Sequence, residues 1–271
     1  MLFLSRLIAC VSGFIVLDNT NYTDISAIGY GAIKTNFVPA RFCEPLTWKD
    51  GKTVLPPKNE WLDLVQKHDP TDPHSEGYLI LDCEKLYFNG DPDQISHNFE
   101  ITKQLQKWVR EIRPNRTLGW YGFSNVAFFG HSYPEASFEA LKNLIDLDNG
   151  KTAYFPTAYI LKSGDTPYLS STSWSEAIKE DLVHIRRIEE LSSTEPHPAF
   201  PYIWPQYYDD KHSLVPASDW HRILETLLGT GYEGTIIWGG QNPSEKYNRQ
   251  NGGSGPWLEA TRDFLDSNSF D

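Results

Sequence analysis

The chain has 271 residues, which suits one α/β barrel of about 250 residues or two small domains. A net charge of −12 argues against a nucleic-acid partner, which needs a basic surface, and weighs against a polyanionic ligand. The apolar share of 39% supports a core. The aromatic share of 14%, with nine Trp, 14 Tyr and 14 Phe, fits either a ring-filled core or a cleft lined with flat amphipathic side chains.

Short apolar runs alternate with amphipathic stretches along the chain, the pattern of a βα repeat. Residues 7–17 admit two readings: the apolar part of a signal peptide behind Arg6, or a first strand through Phe14–Leu17 with Asp18 at its end. The strand is preferred, and the run is too short for a membrane span. Further strands are predicted at Ala32–Val38, Tyr78–Asp82, Thr117–Tyr121, Ala153–Tyr159, Phe200–Trp204 and Gly234–Trp238, about seven in all. Residues 42–73, rich in Pro, Lys and Asp, read as a long loop around a short helix at 59–67. Helical spacing predicts helices over 98–113, 173–191 and 218–228, with weaker signals at 135–147 and 256–265. Ser173-x-x-Glu176 reads as a capping box, and Gly229 and Gly231 as stop signals. No linker divides the chain. The expectation is a single domain over residues 1–271, a TIM-like (β/α) barrel, distorted and of about seven strands.

The three cysteines, Cys10, Cys43 and Cys83, do not form a framework. One bridge is left open, and Cys83, inside a predicted strand, reads as a small buried hydrophobe. The eight histidines lack metal-ligand spacing, and neither a phosphate loop nor Gly-x-Ser-x-Gly occurs, so no metal or cofactor is expected. Asn21-Tyr22-Thr23 and Asn115-Arg116-Thr117 are glycosylation sequons of a kind that also arises by chance.

Active sites of such barrels form where the strands end. The residues at the predicted strand ends are polar or aromatic: Asp18 and Asn19, Arg41 with Glu44, Asp82 and Glu84, Trp120 and Tyr121 with Asn125, Tyr159, Trp204 to Asp210, and Trp238. Strand alternation over Gly77–Glu84 turns Leu79, Leu81 and Cys83 towards the helices and Tyr78, Ile80, Asp82 and Glu84 inward, with the two acidic Cα atoms about 6.6 Å apart. Two carboxyls so close repel each other, one proton is held more tightly, and an acid becomes available near neutral pH. Alone, Asp-x-Glu is more often a helix cap or a partner of the adjacent Lys85; the apolar strand before it and the aromatic rim reverse that preference.

Five segments, in order, carry a resemblance to a known family: Leu79–Glu84, Gly119-Trp120-Tyr121-Gly122-Phe123, Tyr154-Phe155-Pro156-Thr157-Ala158-Tyr159, Phe200–Trp204 and Ile236-Ile237-Trp238-Gly239. The chain resembles the hyaluronidase family of glycoside hydrolases. That resemblance implies a retaining, substrate-assisted reaction on an oligo- or polysaccharide containing N-acetylhexosamine. Glu84 would be the acid/base and Asp82 would orient the substrate acetamido group. Tyr159 and Trp238 would bind substrate, with Tyr121, Trp120, Trp204, Tyr207 and Asn125 as further cleft residues. Secretion is expected. The family's Asp-Trp-Glu is Asp-Cys-Glu here. Two alternatives stay open: a non-catalytic glycan-binding barrel, and a two-carboxylate glycosidase pairing Glu84 with Asp209, Asp210 or Glu44.

Overall fold

The computed structural model describes residues 13–20, 27–123, 134–148, 151–162, 171–192, 196–210, 213–239 and 255–268. The run preceding residue 13, the Asn21 sequon and Asn125 lie outside them. Strand β1 (Ile15–Thr20) pairs in parallel with β2 (Ile33–Lys34) on one side and with β9 (Gly234–Gly239) on the other, and β9 pairs with β8 (Tyr202–Ile203). A second parallel sheet runs β3 (Asn36–Val38), β6 (Tyr78–Leu81), β7 (Thr117–Trp120). Between β2 and β3 stands only Thr35, whose N–H donates to the Asp18 carbonyl at 3.1 Å. On the far side, residues 152–157 bridge to β7 through Leu118↔Thr152 and Tyr121↔Phe155, and towards β8 through Tyr154↔Ala199 and Thr157↔Tyr202. These are single bridges rather than ladders. Pro156, Pro198, Pro201 and Pro205 each lack the N–H that a ladder needs.

All seven predicted strands are therefore extended, parallel segments of a mixed α/β fold. The helices are α1 (Ala40–Thr47), α2 (Lys58–His68), α3 (Pro92–Ile112), α4 (Glu135–Asp146), α5 (Ser171–Leu191), α6 (Ala217–Thr230) and α7 (Pro256–Asn268). Residues 42–73 are not one long loop. They hold most of α1, the antiparallel hairpin of β4 (Trp48–Lys49) and β5 (Lys52–Thr53), and α2. Pro45 inside α1 interrupts the pattern that would have announced it. Helix α3 starts earlier than its apolar spacing suggests, because Asp91 caps it by accepting from the Gln94 N–H at 2.9 Å and Pro92 occupies the first turn. Helix α5 begins at Ser171, so Ser173 lies inside it and is not its cap. Gly231, with φ of 101°, ends α6, whereas Gly229 is helical.

Inward side chains follow each other two residues apart. The lowest level contains Tyr78, Gly119, Phe155, Phe200 and Gly234. Tyr78 meets Phe200 and Phe155 edge-on at 5.0 and 6.5 Å, and the two Phe rings stack at 6.1 Å. A Cβ on Gly119 would overlap the Phe155 ring and the Ala153 carbonyl, and one on Gly234 would press on Phe200 and overlap the Ile15 backbone. The glycines make room for the rings. Below this level, before β6 and β7 begin, buried Asp69 accepts from Arg113 Nε (2.8 Å) and Arg116 Nη2 (2.8 Å).

Candidate functional site

The next inward level is polar. Tyr121 meets Tyr202 edge-on at 5.0 Å, the Thr157 hydroxyl donates to the Tyr121 hydroxyl at 2.9 Å, and Asn19 Nδ2 donates to the Tyr202 hydroxyl at 3.0 Å. One level higher lie Asp82, Tyr159, Trp204 and Trp238. Trp204 meets Trp238 edge-on at 4.9 Å; Tyr159 is 6.1 Å from the ring of Trp204 and 5.9 Å from that of Trp238. The hydroxyls of Tyr159 and Tyr121 are near enough to act on each other's protonation. The stacking order of these levels is the strand period read upward, about 6.6 Å per level.

Asp82 follows the last residue of β6. Its N–H donates to the Val38 carbonyl at 3.0 Å, and its Oδ2 accepts from the Ala40 N–H at 3.2 Å. Only 8% of the residue is exposed, and Oδ1 is buried without a hydrogen-bond partner. Burial pushes its pKa well above the usual carboxylate range; the charges of Glu84 and Glu44 add to this, and the Ala40 N–H opposes it.

Glu84 departs from the expected geometry. Cys83 leaves the extended conformation (φ −127°, ψ 75°), and Glu84 opens a 3-10 turn, Glu84–Leu86. The alternation drawn through Glu84 thus stops at Asp82, and the extended-strand spacing does not apply. Glu84 nonetheless stays near the inward group, close enough for its charge to act on both Asp82 and Tyr121. It is open to solvent on one side. Partial burial raises its pKa first, Glu44 raises it further, and Lys85 lowers it. Among the hydroxyls, Tyr121, Tyr159 and Tyr202 are all pushed up, burial being the first cause and Asp82 a contributor in each. They stay protonated and can donate.

Two expected cleft residues stand elsewhere. Trp120 is on the opposite face of its strand from Tyr121. Its Nε1 donates to Gln106 Oε1 at 2.9 Å, its ring stacks on Phe123 at 5.3 Å, and it lines a small cavity between α3, α4 and β7. Strand alternation forbids Trp120 and Tyr121 from sharing a cleft. Tyr207 lies under the Lys162 ammonium, 6.0 Å from its ring centre, while its neighbour Tyr208 stacks on Tyr159 at 5.8 Å. The spacing of a loop has no period, so the register of this pair was not legible. Asp209 accepts from the Lys162 N–H (2.7 Å) and Asp210 from Lys162 Nζ (2.6 Å), whereas Glu44 is the candidate second carboxylate whose charge reaches Glu84. Asn19 was expected at its strand end, whereas Thr157 and Tyr202 were missed as members of the group. Period two from Tyr159 and Trp204 could have found Thr157 and Tyr202.

Cys83 is not a lone buried hydrophobe. It forms a disulfide with Cys43 of α1. Its outward direction was legible; the helix bringing a second thiol to it was not. Among the described residues, no group of three or more His, Cys, Asp or Glu could hold a metal ion. No helix there is long and apolar enough to cross a membrane.

No protein-family model matches the chain. It is 22% identical over 161 residues to a Vespula vulgaris protein described as "Inactive hyaluronidase B"; the match covers 54% of this chain and 44% of that protein. The chain thus spans about half the length of the curated relative it matches. Among solved structures it resembles bee venom hyaluronidase, with a TM-score of 0.62 and 14% identity over 94% of this chain and 97% of that one. Bee venom hyaluronidase in complex with a hyaluronic acid tetramer gives 0.60 and 15% over the same shares. At such identities the structural likeness is one of fold. In fold, and distantly in sequence, this chain is hyaluronidase-like.

Proposed function

We propose that the protein is a glycoside hydrolase acting on a glycan that contains N-acetylhexosamine, by a retaining, substrate-assisted route. In this reading the two parallel sheets are halves of one distorted seven-stranded (β/α) barrel. Residues 33–38 close one seam by pairing first with β1 and then with β6, and residues 152–157 close the other. The reaction would then occupy the C-terminal mouth.

The observation that carries the proposal is the buried Asp82 carboxyl, one oxygen unpartnered, beside Glu84 and near the rings of Tyr121, Tyr159, Trp204 and Trp238. Glu84, raised and open to solvent, protonates the leaving oxygen. The acetamido oxygen of the substrate attacks the anomeric carbon, and Glu84 then takes a proton from the water that opens the intermediate. Asp82 Oδ1 accepts the acetamido N–H, and Tyr159 donates to the same group. Trp238 offers a face to the sugar ring. No protein nucleophile is needed, as in other substrate-assisted glycosidases. The Cys43–Cys83 disulfide supports an oxidising, extracellular setting.

The test is a panel of N-acetylhexosamine and neutral glycans, with product anomers followed by NMR. The first product keeps the substrate's anomeric configuration. Glu84→Gln lowers turnover by about 10²- to 10⁴-fold and leaves glycan binding in place. A second reading, a glycan-binding barrel without turnover, is favoured by the name of the Vespula relative. It expects wild type and Glu84→Gln to bind alike and neither to hydrolyse.

A further inference from the structure

Cys83 is the residue between Asp82 and Glu84, and Cys43 lies on α1; their Cα atoms are 5.4 Å apart and both residues are fully buried. The same helix reaches the acidic pair twice more. The N–H of Ala40, in its first turn, donates to Asp82 Oδ2 at 3.2 Å. Glu44, next to Cys43, acts by its charge on both Asp82 and Glu84. The ladder between β3 and β6 ends at Leu81, followed by one more bond from the Asp82 N–H to the Val38 carbonyl. Beyond it the chain turns, with the Leu86 N–H donating to the Cys83 carbonyl at 2.9 Å. Glu84 and Lys85 in that turn are exposed, while buried Leu86 and the Asn98 Nδ2 bonds to the Lys85 and Tyr87 carbonyls hold the far side of the turn to α3. The covalent bond at Cys83 is the firm attachment of this turn to α1.

We propose that the Cys43–Cys83 disulfide is a positioning element of the site, clamping α1 to the turn after β6 so that Asp82, Glu84, Glu44 and the Ala40 N–H keep one arrangement. Its kinetic consequence rests on the hydrolase reading above; its structural consequence does not. Glu84 is faced by Asp82 and Lys85 on its own segment, by Glu44 from α1 and by Tyr121 beyond β7. Asp82 is faced by Glu84, by Glu44, by the Ala40 N–H and by the hydroxyls of Tyr121, Tyr159 and Tyr202. A cross-link between residues 43 and 83 also restrains the unfolded chain, so a loss of stability on removing it does not distinguish clamp from staple.

The distinguishing measurement is a carbon-13 titration of the Asp82 and Glu84 carboxyls in the full chain without substrate. It compares wild type, Cys43→Ala/Cys83→Ala and Glu44→Gln. Opening the clamp moves the Glu84 titration down towards the ordinary glutamate range. With an N-acetylhexosamine glycan as substrate, kcat falls on the order of 10²-fold, as for a reacting group displaced by about 1 Å, while KM stays within about twofold. The alkaline limb of the pH profile moves to lower pH. Glu44→Gln keeps the disulfide and measures what loss of that charge alone does to Glu84, and reduction of the bond in the folded wild-type chain repeats the comparison should the double variant not fold. A Glu84 titration that stays at its wild-type position in a folded variant overturns the proposal. Shifted titration in a chain that hydrolyses nothing removes the hydrolase reading and leaves the clamp.

Discussion

Asp82 illustrates how a single residue can be set against the stability of its own fold. Its carboxyl is buried, one oxygen lacks a partner, and two further acidic groups face it. Because its folded pKa lies above the unfolded value, the native state binds its proton more tightly. The sign follows from linkage: stability is lost as pH rises from the ordinary aspartate value through the folded one. Asp82→Asn is therefore expected to raise the thermal midpoint at neutral pH, a gain that disappears in acid, where both forms are uncharged. The same substitution is expected to lower turnover by about 10²-fold or more, the scale for removing one electrostatic contact at a reacting centre. Thermal melts at two pH values with kinetics at one check both. A variant less stable at neutral pH would show that the carboxyl is better satisfied than its unpartnered oxygen indicates. The acid pair itself was legible from Asp-x-Glu after an apolar run. The turn that sets Glu84 was not, because nothing in three residues announces a 3-10 turn instead of one more strand position.

At the scale of the element, β7 decides which rings fill the interior. Period two places Leu118 and Trp120 towards the helices and Gly119 and Tyr121 inward, and the structure agrees in every contact described. Gly119 has no side chain because the Ala153 carbonyl and the Phe155 ring, one strand over, occupy the space. Gly119→Ala is expected to cost about 1–3 kcal/mol, the usual range for an overpacked core. Urea unfolding would measure it, and a loss of only a few tenths would mean that both the Ala153 backbone and Phe155 move aside freely. Motif reading had put Trp120 with Tyr121 in the cleft, since both are large rings at one strand end. The pleat separates them, as the period of two along β7 dictates. Residues 152–157 and 199–203 were recognised from apolar content, although prolines reduce their pairing to isolated bridges. Unbroken burial on both faces, rather than a continuous ladder, identifies them as interior strands.

The whole molecule has two electrically different ends. At the strand C-termini Glu44 crowds against Asp82 and Glu84, and the last two hold their protons more tightly than ordinary carboxyls. Beneath the N-termini, Asp69 is fully buried yet is held below the usual carboxylate range: burial alone would raise it, but hydrogen bonds from Arg116, Thr71 and Arg113 prevail. For a depressed group the linkage reverses. The stability it contributes is present above the unfolded aspartate pKa and is lost as pH falls towards the folded one. Asp69→Asn strands two buried guanidiniums and is expected to cost about 3–5 kcal/mol. At about 2–4 °C per kcal/mol for a chain of this size, the midpoint drops measurably. Melts over an acid series would test the assignment; an unchanged midpoint would exclude Asp69 as an anchor of the lower end.

The sequence by itself determined the periodic features: seven extended segments, the helices with clear apolar spacing, the inward direction of Asp82, Tyr121, Tyr159 and Trp238, and the outward direction of Cys83. These follow from backbone geometry that repeats every two or 3.6 residues. Only the tertiary structure decided the aperiodic ones. The pairing of Cys43 with Cys83, the choice of Tyr208 over Tyr207, the reach of Glu44 to the acidic pair and the two arginines around Asp69 all join residues distant in the chain. Such contacts are fixed by how helices and loops seat against the sheet, and no local pattern encodes that placement.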